Sequence, residues 1–294
     1  MTINHFIPEI WSAATLEALQ EEAVLGALVN REYEGEARRG NQVNITGVVV
    51  PTITDYAGAG RTTSAEDISD TGFSLLIDQE KAFDFHVDDV DRAQAAGSFE
   101  RWTAAAGTAL ANDADAYIAS RMFLRGTPLD TSIVDIYNGG TSGGDLSVGD
   151  AAHKVFVDAV KQLNKANMPS MNRVAVVNAE FEAALLDASS KLTSFDTSGD
   201  SSGLRQATIG SYLGFRVVRS NLLPVQSAPA AVFFWSRAVV YVSQINQTEA
   251  MRSHTKFADR IRGLHVYGAD VIYNNDDERT DYRRGVLVYA EADS

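Results

Sequence analysis

The segment Ser98–Leu124, SFERWTAAAGTALANDADAYIASRMFL, carries the longest clean helical pattern in the chain. Ser98 is the predicted N-cap, and Glu100 lies in the first turn, where the helix dipole favours a carboxylate. Apolar residues recur at steps of three or four and so share one face; they are Phe99, Trp102, Ala106, Leu110, Ala114, Tyr117, Ile118 and Met122. Such a helix is a rod of roughly 40 Å, so we expect a strut that spans a domain.

Composition limits the classes of protein that remain. The chain has 294 residues and no cysteine, which allows a sizeable core and excludes disulfides and thiolate metal sites. It has no long apolar run for a membrane span, and its first residues lack a secretory pattern. The formal net charge is −14, with no basic arm. Tight binding to nucleic acid needs clustered Lys and Arg, so any relation to DNA is expected to be enclosure.

The first 40 residues predict an arm with one helix. Leu16, Leu19, Ala23 and Ala27 are spaced for a narrow apolar face, and Gly26 weakens the end of the helix. A terminal segment of this kind docks either on the core of its own chain or on a neighbouring subunit. The sequence leaves both alternatives open.

Residues 41–87 predict a long hairpin. Its strands are Gln42–Thr54, which is rich in β-branched residues, and Ala82–Val87, which alternates apolar and polar residues. The connecting stretch Asp55–Gly72 is too long for a tight turn. A two-stranded ribbon is marginally stable alone and leaves its edges open. We therefore expect it to contact another subunit, with a flexible surface loop as the alternative.

The second half of the chain predicts mixed helix and sheet. Asp150 is the expected cap of an amphipathic helix that ends before Pro169, with Ala152, Val155, Phe156, Ala159, Val160 and Leu163 on one face. A helix is expected over Ala179–Ala188. Strands are expected at Arg173–Asn178, Tyr212–Arg219, Ala230–Trp235, Ala238–Gln244, Leu264–Tyr273 and Gly285–Ala290. No βαβ repeat is present, so the fold class is α+β.

Several motifs resemble chemical sites but are better explained as ordinary surface. Ser142 and Ser201 lie in G-x-S-x-G matches, with His153 as a candidate base, yet neither serine follows a predicted strand. Asp88, Asp89 and Asp91 favour a capping, solvated cluster over a metal site, and residues 274–278 lack the spacing of a calcium loop. The five histidines show no ligand pairing. The sequence therefore predicts no catalytic, cofactor-binding or metal-binding residues and no enzyme.

The order of four segments resembles the tailed-phage major capsid proteins of the Hong Kong 97 fold. Leu28–Ile45 is similar to the end of the family's N-terminal arm, and Leu75–Ala95 to the return strand before its spine helix. Arg173–Leu186 and Ile209–Pro224 resemble segments of its axial domain. The resemblance covers most of the chain.

This resemblance implies a division of the chain. Residues 1–38 would be the arm, 39–85 an extended β-hairpin loop that laps a neighbour, and 86–149 the peripheral domain with the spine helix. Residues 150–254 would be the axial domain, and 255–294 strands that return to the peripheral domain.

The resemblance also implies a function. The chain would self-assemble as hexamers and pentamers into an icosahedral head shell that encloses double-stranded DNA. The shell would assemble in the bacterial cytoplasm and then form part of the virion. A separate scaffolding protein, a portal and decoration proteins are the implied partners, with no membrane and no cofactor. An encapsulin-like nanocompartment shell and a serine hydrolase using Ser201 or Ser142 are the alternatives.

Overall fold

A computed structural model describes residues 23–35, 40–48, 52–58, 60–63, 70–88, 100–129, 136, 147–187, 210–253, 255–272 and 285–290. The helices are α1 (Leu25–Leu28), α2 (Glu100–Arg125), α3 (Val148–Lys165) and α4 (Ala179–Leu185). The strands are β1 (Gln42–Val48), β2 (Asp70–Leu76), β3 (Gln79–Asp88), β4 (Thr127–Pro128), β5 (Arg173–Val177), β6 (Ser211–Tyr212), β7 (Phe215–Arg219), β8 (Ala230–Trp235), β9 (Val239–Arg252), β10 (Ala258–Val271) and β11 (Val286–Ala290).

A six-stranded mixed sheet in the order β4-β11-β8-β5-β7-β6 separates two apolar cores. Alternate residues of a strand point to opposite faces, and every residue of β5 is buried because both faces are covered. On one face, Val174 and Val176 join the core that contains Ile118 of α2. On the other, the Phe156 ring of α3 lies 4.8 Å from that of Phe233, edge to face. The expected α+β class is confirmed.

A second sheet, in the order β3-β10-β9, is long and narrow. Its strands β9 and β10 have 14 residues each, which makes both longer than the alternation of their sequences predicts. Several side-chain contacts fasten helix α2 to this sheet, and two of them are short. The Tyr267 hydroxyl donates to Asp113 Oδ2 at 2.6 Å, and Arg121 pairs with Asp270 at 2.6 Å.

The predicted strut is present as α2, but its apolar face is covered along only part of its length. Ala114, Ile118 and Met122 are buried in the core. Trp102, near the start of the same face, is 61% exposed. Ala106 and Leu110, which follow it on that face, are half-buried, so the exposed apolar surface of the first half is centred on Trp102.

The predicted hairpin is wrong in its pairing. Strand β1 pairs with β2, from Gln42↔Leu76 to Val48↔Asp70, and β2 begins inside the stretch Asp55–Gly72 that was expected to be a loop. Strand β3 pairs with β10 instead. The alternation of β3 is as predicted, but alternation identifies a strand and not its partner. A 14-residue neighbour offers β3 more ladder hydrogen bonds than β1 does.

Two local predictions also need correction. Helix α3 begins earlier than expected, and its cap is Ser147, whose Oγ accepts a hydrogen bond from the Asp150 amide at 3.2 Å. Asp150 instead occupies the first turn. The predicted strand Tyr212–Arg219 is a hairpin of β6 and β7, because Leu213 and Gly214 have φ of 48° and 83° and form a tight turn.

The described part of the arm docks on its own chain. Asp115 of α2 is buried, and its carboxylate accepts the amide hydrogens of Val24, Leu25 and Gly26 at 2.5, 2.7 and 2.9 Å. The backbone of Asn30 then bonds to Val239 and Tyr241 in β9. Of the two alternatives, docking on the chain's own core is therefore the one found for residues 23–35. Residues 1–22 lie outside the described part.

Gly268 is where the chain from β2 to β3 crosses the long sheet. A Cβ at this position would lie 2.9 Å from Ile77 Cα and closer still to the carbonyl oxygen of Leu76. We expect Gly268→Ala to lower the free energy of unfolding by about 1–3 kcal/mol, since backbone atoms must move. Denaturant unfolding of the wild type and the variant measures this difference.

Gly107→Ala is the matched control for that substitution. Gly107 is exposed in the middle of α2, and an added Cβ meets no atom within 4 Å. This change should raise the free energy of unfolding by up to about 1 kcal/mol through helix propensity. Equal effects at the two glycines would contradict the close approach at Gly268.

Asp115→Ala tests the docking of the arm. It leaves buried amide hydrogens unpaired, so we expect a loss of about 2–3 kcal/mol in the free energy of unfolding. Amide hydrogen exchange at residues 24–29 should speed up more than exchange in α3. Asp158→Ala is the control, because the exposed 3.9 Å pair of Asp158 with Lys161 contributes less than about 1 kcal/mol. Unchanged exchange in the Asp115 variant would show that another contact holds the arm.

Candidate assembly surfaces

The loop between β1 and β2 presents apolar side chains to solvent. In its described residues, the Asp55 carboxylate accepts the Ala57 amide hydrogen at 3.1 Å, and the Arg61 amide donates to the Tyr56 carbonyl at 2.9 Å. The loop is therefore held in turns. Ile53 is 94% exposed and Tyr56 55% exposed. Exposed apolar side chains in the same loop make it a candidate contact surface.

The base of this ribbon is fixed to the rest of the chain. Val43 of β1 and Leu75 of β2 are buried in a cluster with Val240, Val242 and Val266 of the long sheet. The opposite face carries Asn44 and Ser74, whose side chains bond to each other at 2.9 Å. The ribbon thus has one buried face, one polar face and an apolar tip.

The far end of the long sheet carries ion pairs beside exposed apolar side chains, among them Leu264 of β10. Phe257, in the turn between β9 and β10, is 83% exposed. Exposed ion pairs link the strands and follow one another along the sheet: Arg260–Asp84, Arg262–Glu249 and Arg252–Asp259. The Arg260 guanidinium holds the pKa of Asp84 below its usual range. Exposed pairs add little stability, but they oppose slippage of the register.

A buried polar network lies where α2 crosses the long sheet. His265 Nε2 lies 3.2 Å from the Tyr241 hydroxyl and 3.1 Å from Ser243 Oγ. Burial lowers the pKa of His265 and raises the pKa of Tyr241 to about 12. Both side chains are therefore neutral near pH 7. Asp113 of α2 and Glu34 of the arm are the nearby acids, and Arg31 is the nearby base.

Acid should weaken the fold through His265. Its pKa is lower in the folded chain than in the unfolded chain, so the unfolded chain binds the extra proton as pH falls below about 6.5. The stabilisation is present above that pH and is lost below it, by up to about 1.4 kcal/mol per pH unit. Unfolding measured between pH 7.5 and 5 should show a smaller slope for His265→Gln. Equal slopes in the wild type and the His265→Gln variant would contradict this role.

The residues considered for chemistry are not brought together. His153 Nδ1 lies 2.5 Å from the Tyr212 hydroxyl, and Asp88 is the last residue of strand β3. Ser142, Ser201, Asp89, Asp91 and residues 274–278 lie outside the described residues. Within the described ranges, no group of three or more metal-ligand side chains is placed to hold an ion. No described helix is long and apolar enough to cross a membrane.

Sequence reasoning did not anticipate Asp115 or His265. Each is a polar residue within an apolar pattern, which is the one sequence signal that could have pointed to them. Leu25, a partner of Asp115, lies 90 residues away along the chain, and Tyr241, a partner of His265, lies 24 residues away. Only the folded chain identifies them.

Solved structures similar to this chain come from phages. A structure titled "Mycobacterium phage Che8" is 49% identical over 98% of both chains, with a TM-score of 0.83. The "Capsid structure of the Cyanophage P-SCSP1u" is 16% identical, covers 98% of this chain and 94% of that one, and has a TM-score of 0.76. The "Capsid of native GTA particle computed with C5 symmetry" is 13% identical, covers 99% and 97%, and has a TM-score of 0.64.

No protein-family model and no curated protein sequence matches the chain. The two distant structures share its fold, and the 49% identity of the first extends the likeness to the sequence along nearly the whole chain. Neither the nanocompartment nor the hydrolase alternative is favoured by these matches. The chain belongs to the major capsid proteins of tailed phages with the Hong Kong 97 fold, and it is a structural protein of the capsid shell.

Proposed function

We propose that copies of this chain close, as hexamers and pentamers, into an icosahedral head shell that encloses double-stranded DNA. Assembly would take place in the bacterial cytoplasm with a separate scaffolding protein and a portal, and decoration proteins would bind the finished shell. The protein would have no catalytic role. Closed symmetry lets one modest interface, repeated many times, build a stable particle.

The observation that carries this proposal is the ribbon of β1 and β2. Its base is buried in its own chain, while Ile53 and Tyr56 at its tip are exposed. Such a tip adds little to the stability of a single subunit, and it exposes apolar surface to water. Burial against another subunit would offset that cost at about 25 cal/mol per Å² of apolar surface. The exposed Trp102 on the spine helix is a second uncovered apolar surface.

The division of labour inferred from the family remains part of the proposal. Residues 1–38 would be the arm, 39–85 the extended loop, 86–149 the peripheral domain, 150–254 the axial domain and 255–294 the returning strands. The packing of α3 and α4 on one face of the six-stranded sheet supports an axial unit. Strand β11 lies in that same sheet, where it also contacts α2.

The net charge supports enclosure of DNA without tight binding. The chain carries 39 acidic and 25 basic side chains, for a formal net charge of −14. Like charge repels phosphate over about a Debye length, roughly 8 Å at physiological salt. An acidic wall would let packaged DNA move along the shell.

Removing the apolar tip of the ribbon should block shell formation while the subunit still folds. We expect Ile53→Ser with Tyr56→Ser to leave the circular dichroism spectrum and the unfolding midpoint unchanged, because both side chains are exposed. Electron microscopy and sedimentation should show closed particles for the wild type and small oligomers for the variant. Thr63→Ser, in the same loop, is the control and should assemble normally.

Two outcomes would count against this account. Normal shells from the double variant would remove the ribbon tip from assembly. Wild-type protein that stays in small species, both alone and when co-expressed with the phage's scaffolding protein, would contradict the proposed function itself.

A further inference from the structure

His265 is linked to the arm through two side chains of β9. Its Nε2 lies 3.2 Å from the Tyr241 hydroxyl and 3.1 Å from Ser243 Oγ. Both of these residues also hold the arm. The Arg31 guanidinium lies over the Tyr241 ring, 5.6 Å from its centre, and the Ser243 amide donates to Glu34 Oε1 at 3.4 Å. His265 therefore lies behind the surface on which the arm docks.

The backbone of the arm makes only a short contact with β9. The Asn30 amide donates to the Val239 carbonyl at 2.9 Å, and the Tyr241 amide donates to the Asn30 carbonyl at 2.9 Å. Asn30 and Val240 thus form an isolated parallel bridge. Strand pairing this short has little stability of its own, so the side-chain contacts of Tyr241 and Ser243 contribute much of the docking.

The hydrogen bonds of His265 depend on its charge. Tyr241 and Ser243 can donate their hydroxyl hydrogens to Nε2 only while this nitrogen carries no hydrogen. A protonated imidazole is a donor at both nitrogens, so both hydroxyls must then turn their hydrogens elsewhere. Tyr241 is 5% exposed and His265 is 6% exposed, so water has little access to replace these bonds while the arm is docked. A buried hydroxyl that loses its acceptor is costly.

Charged and titratable side chains surround His265 on the elements packed against it. In the described part of the chain they are Arg31 and Glu34 of the arm, Asp113 of α2, Lys81 of β3, Tyr241 of β9 and Tyr267 of β10. The two acids already have partners. Glu34 pairs with Arg31 at 2.7 Å. Asp113 accepts from the Tyr267 hydroxyl at 2.6 Å and lies 3.6 Å from Lys81 Nζ. Burial outweighs the attraction of both acids, so the pKa of His265 lies below its usual value.

We propose that His265 is an acid-sensitive latch whose protonation releases residues 29–34 of the arm from β9. An imidazolium at this position lies close to the Arg31 guanidinium, and like charges repel. Lifting the arm takes Arg31 away and opens His265 to water, which solvates the new charge. The Asp115 contacts at residues 24–26 involve no histidine, so the arm stays tethered there.

Release should begin as the pH falls below about 6.5, the usual pKa of a free histidine. Lifting the arm returns His265 towards that value, whereas docking lowers its pKa, so the undocked state binds the extra proton. The docked arm is favoured above this pH, and the docking equilibrium falls below it by up to about tenfold for each pH unit. The latch lies within one chain, so it goes beyond the proposed assembly and does not depend on it.

Two spin labels measure the position of the arm. The chain has no cysteine of its own, so the labels are placed at Gly35→Cys on the arm and Lys161→Cys on α3. A Cβ at Gly35 meets no atom within 4 Å, and Lys161 lies at the surface. Full-length subunits, shown by sedimentation to be unassembled, should give one narrow distance distribution by double electron–electron resonance at pH 7.5. At pH 5 a second, broad distribution should appear, and it should disappear when the pH is raised again.

Leu124→Cys with Lys161→Cys is the control pair. Leu124 is 65% exposed near the end of α2, and α2 and α3 pack on opposite faces of the six-stranded sheet. The distance between these labels should be the same at both pH values, because the core stays folded. Broadening of the control pair together with the arm pair would mean that acid loosens the whole subunit, and it would refute the latch.

Three variants identify the group that titrates. His265→Gln has no titratable side chain, so its arm distances should not respond to pH. Tyr241→Phe removes one of the two hydroxyls, so protonation costs less and the broad population at pH 5 should fall by about two- to tenfold. Glu34→Gln keeps an oxygen that accepts the Ser243 amide hydrogen, and it should keep the response to pH.

The inference is overturned if the wild-type arm stays docked at pH 5, or if His265→Gln responds to acid as the wild type does. Loss of the response in Glu34→Gln would make Glu34 the titrating group and would also overturn it. Should His265→Gln fail to dock the arm at pH 7.5, Tyr241→Phe decides, and an unchanged population at pH 5 in that variant refutes the latch. None of these results bears on the proposed shell function, because every measurement is made on single subunits.

Discussion

The second half of helix α2 is the contact on which the remaining elements depend. Ile118 and Met122 complete one core of the six-stranded sheet. Three polar groups on the same half fasten other parts of the chain: Asp113 bonds to Tyr267, Asp115 to the arm and Arg121 to Asp270. Asp115 and Asp270 are buried, and buried polar groups are costly unless paired, so the bonds to these two residues fix the orientation of the elements that they join. The arm, the long sheet and the central sheet thus share one reference element.

The two halves of α2 differ in how they are packed. The side chains that bond to the arm and to the long sheet lie in its second half, whereas Trp102 near its start is 61% exposed. The ribbon tip repeats the pattern, because its base is buried and its apolar residues are exposed. The subunit is therefore well packed where α2 meets the two sheets, and it leaves apolar side chains exposed on α2 and on the ribbon. This is expected for a protein that buries further apolar surface when it joins other subunits.

Local periodicity predicted the elements of the fold better than their connections. The three-to-four spacing placed α2 within two residues of its observed limits, and short apolar runs placed β5 and β8. Strand pairing was not predictable, since the alternation of Phe83, Phe85 and Val87 suits β10 as well as β1. The cap Ser147 was missed because Asp150, three residues later, is also a good capping residue.

The assembly surfaces were predictable in outline only. An unsupported ribbon signalled a contact region, but the exposure of Ile53 and the docking of residues 23–35 depend on distant residues such as Asp115. Asp115 lies 90 residues from Leu25, and no local pattern joins them.

The missing side chain at Gly268 has a mechanical consequence. The chain leaves the ribbon at Leu76 and crosses β10 with backbone against backbone, without a layer of side chains to yield between them. A pull on the ribbon tip is therefore transmitted directly to the long sheet, whose 14-residue strands share a ladder of hydrogen bonds. A load along those strands shears many hydrogen bonds at once. The crossing therefore couples the ribbon stiffly to the long sheet, and through Tyr267 and Asp270 to the spine helix of the same chain.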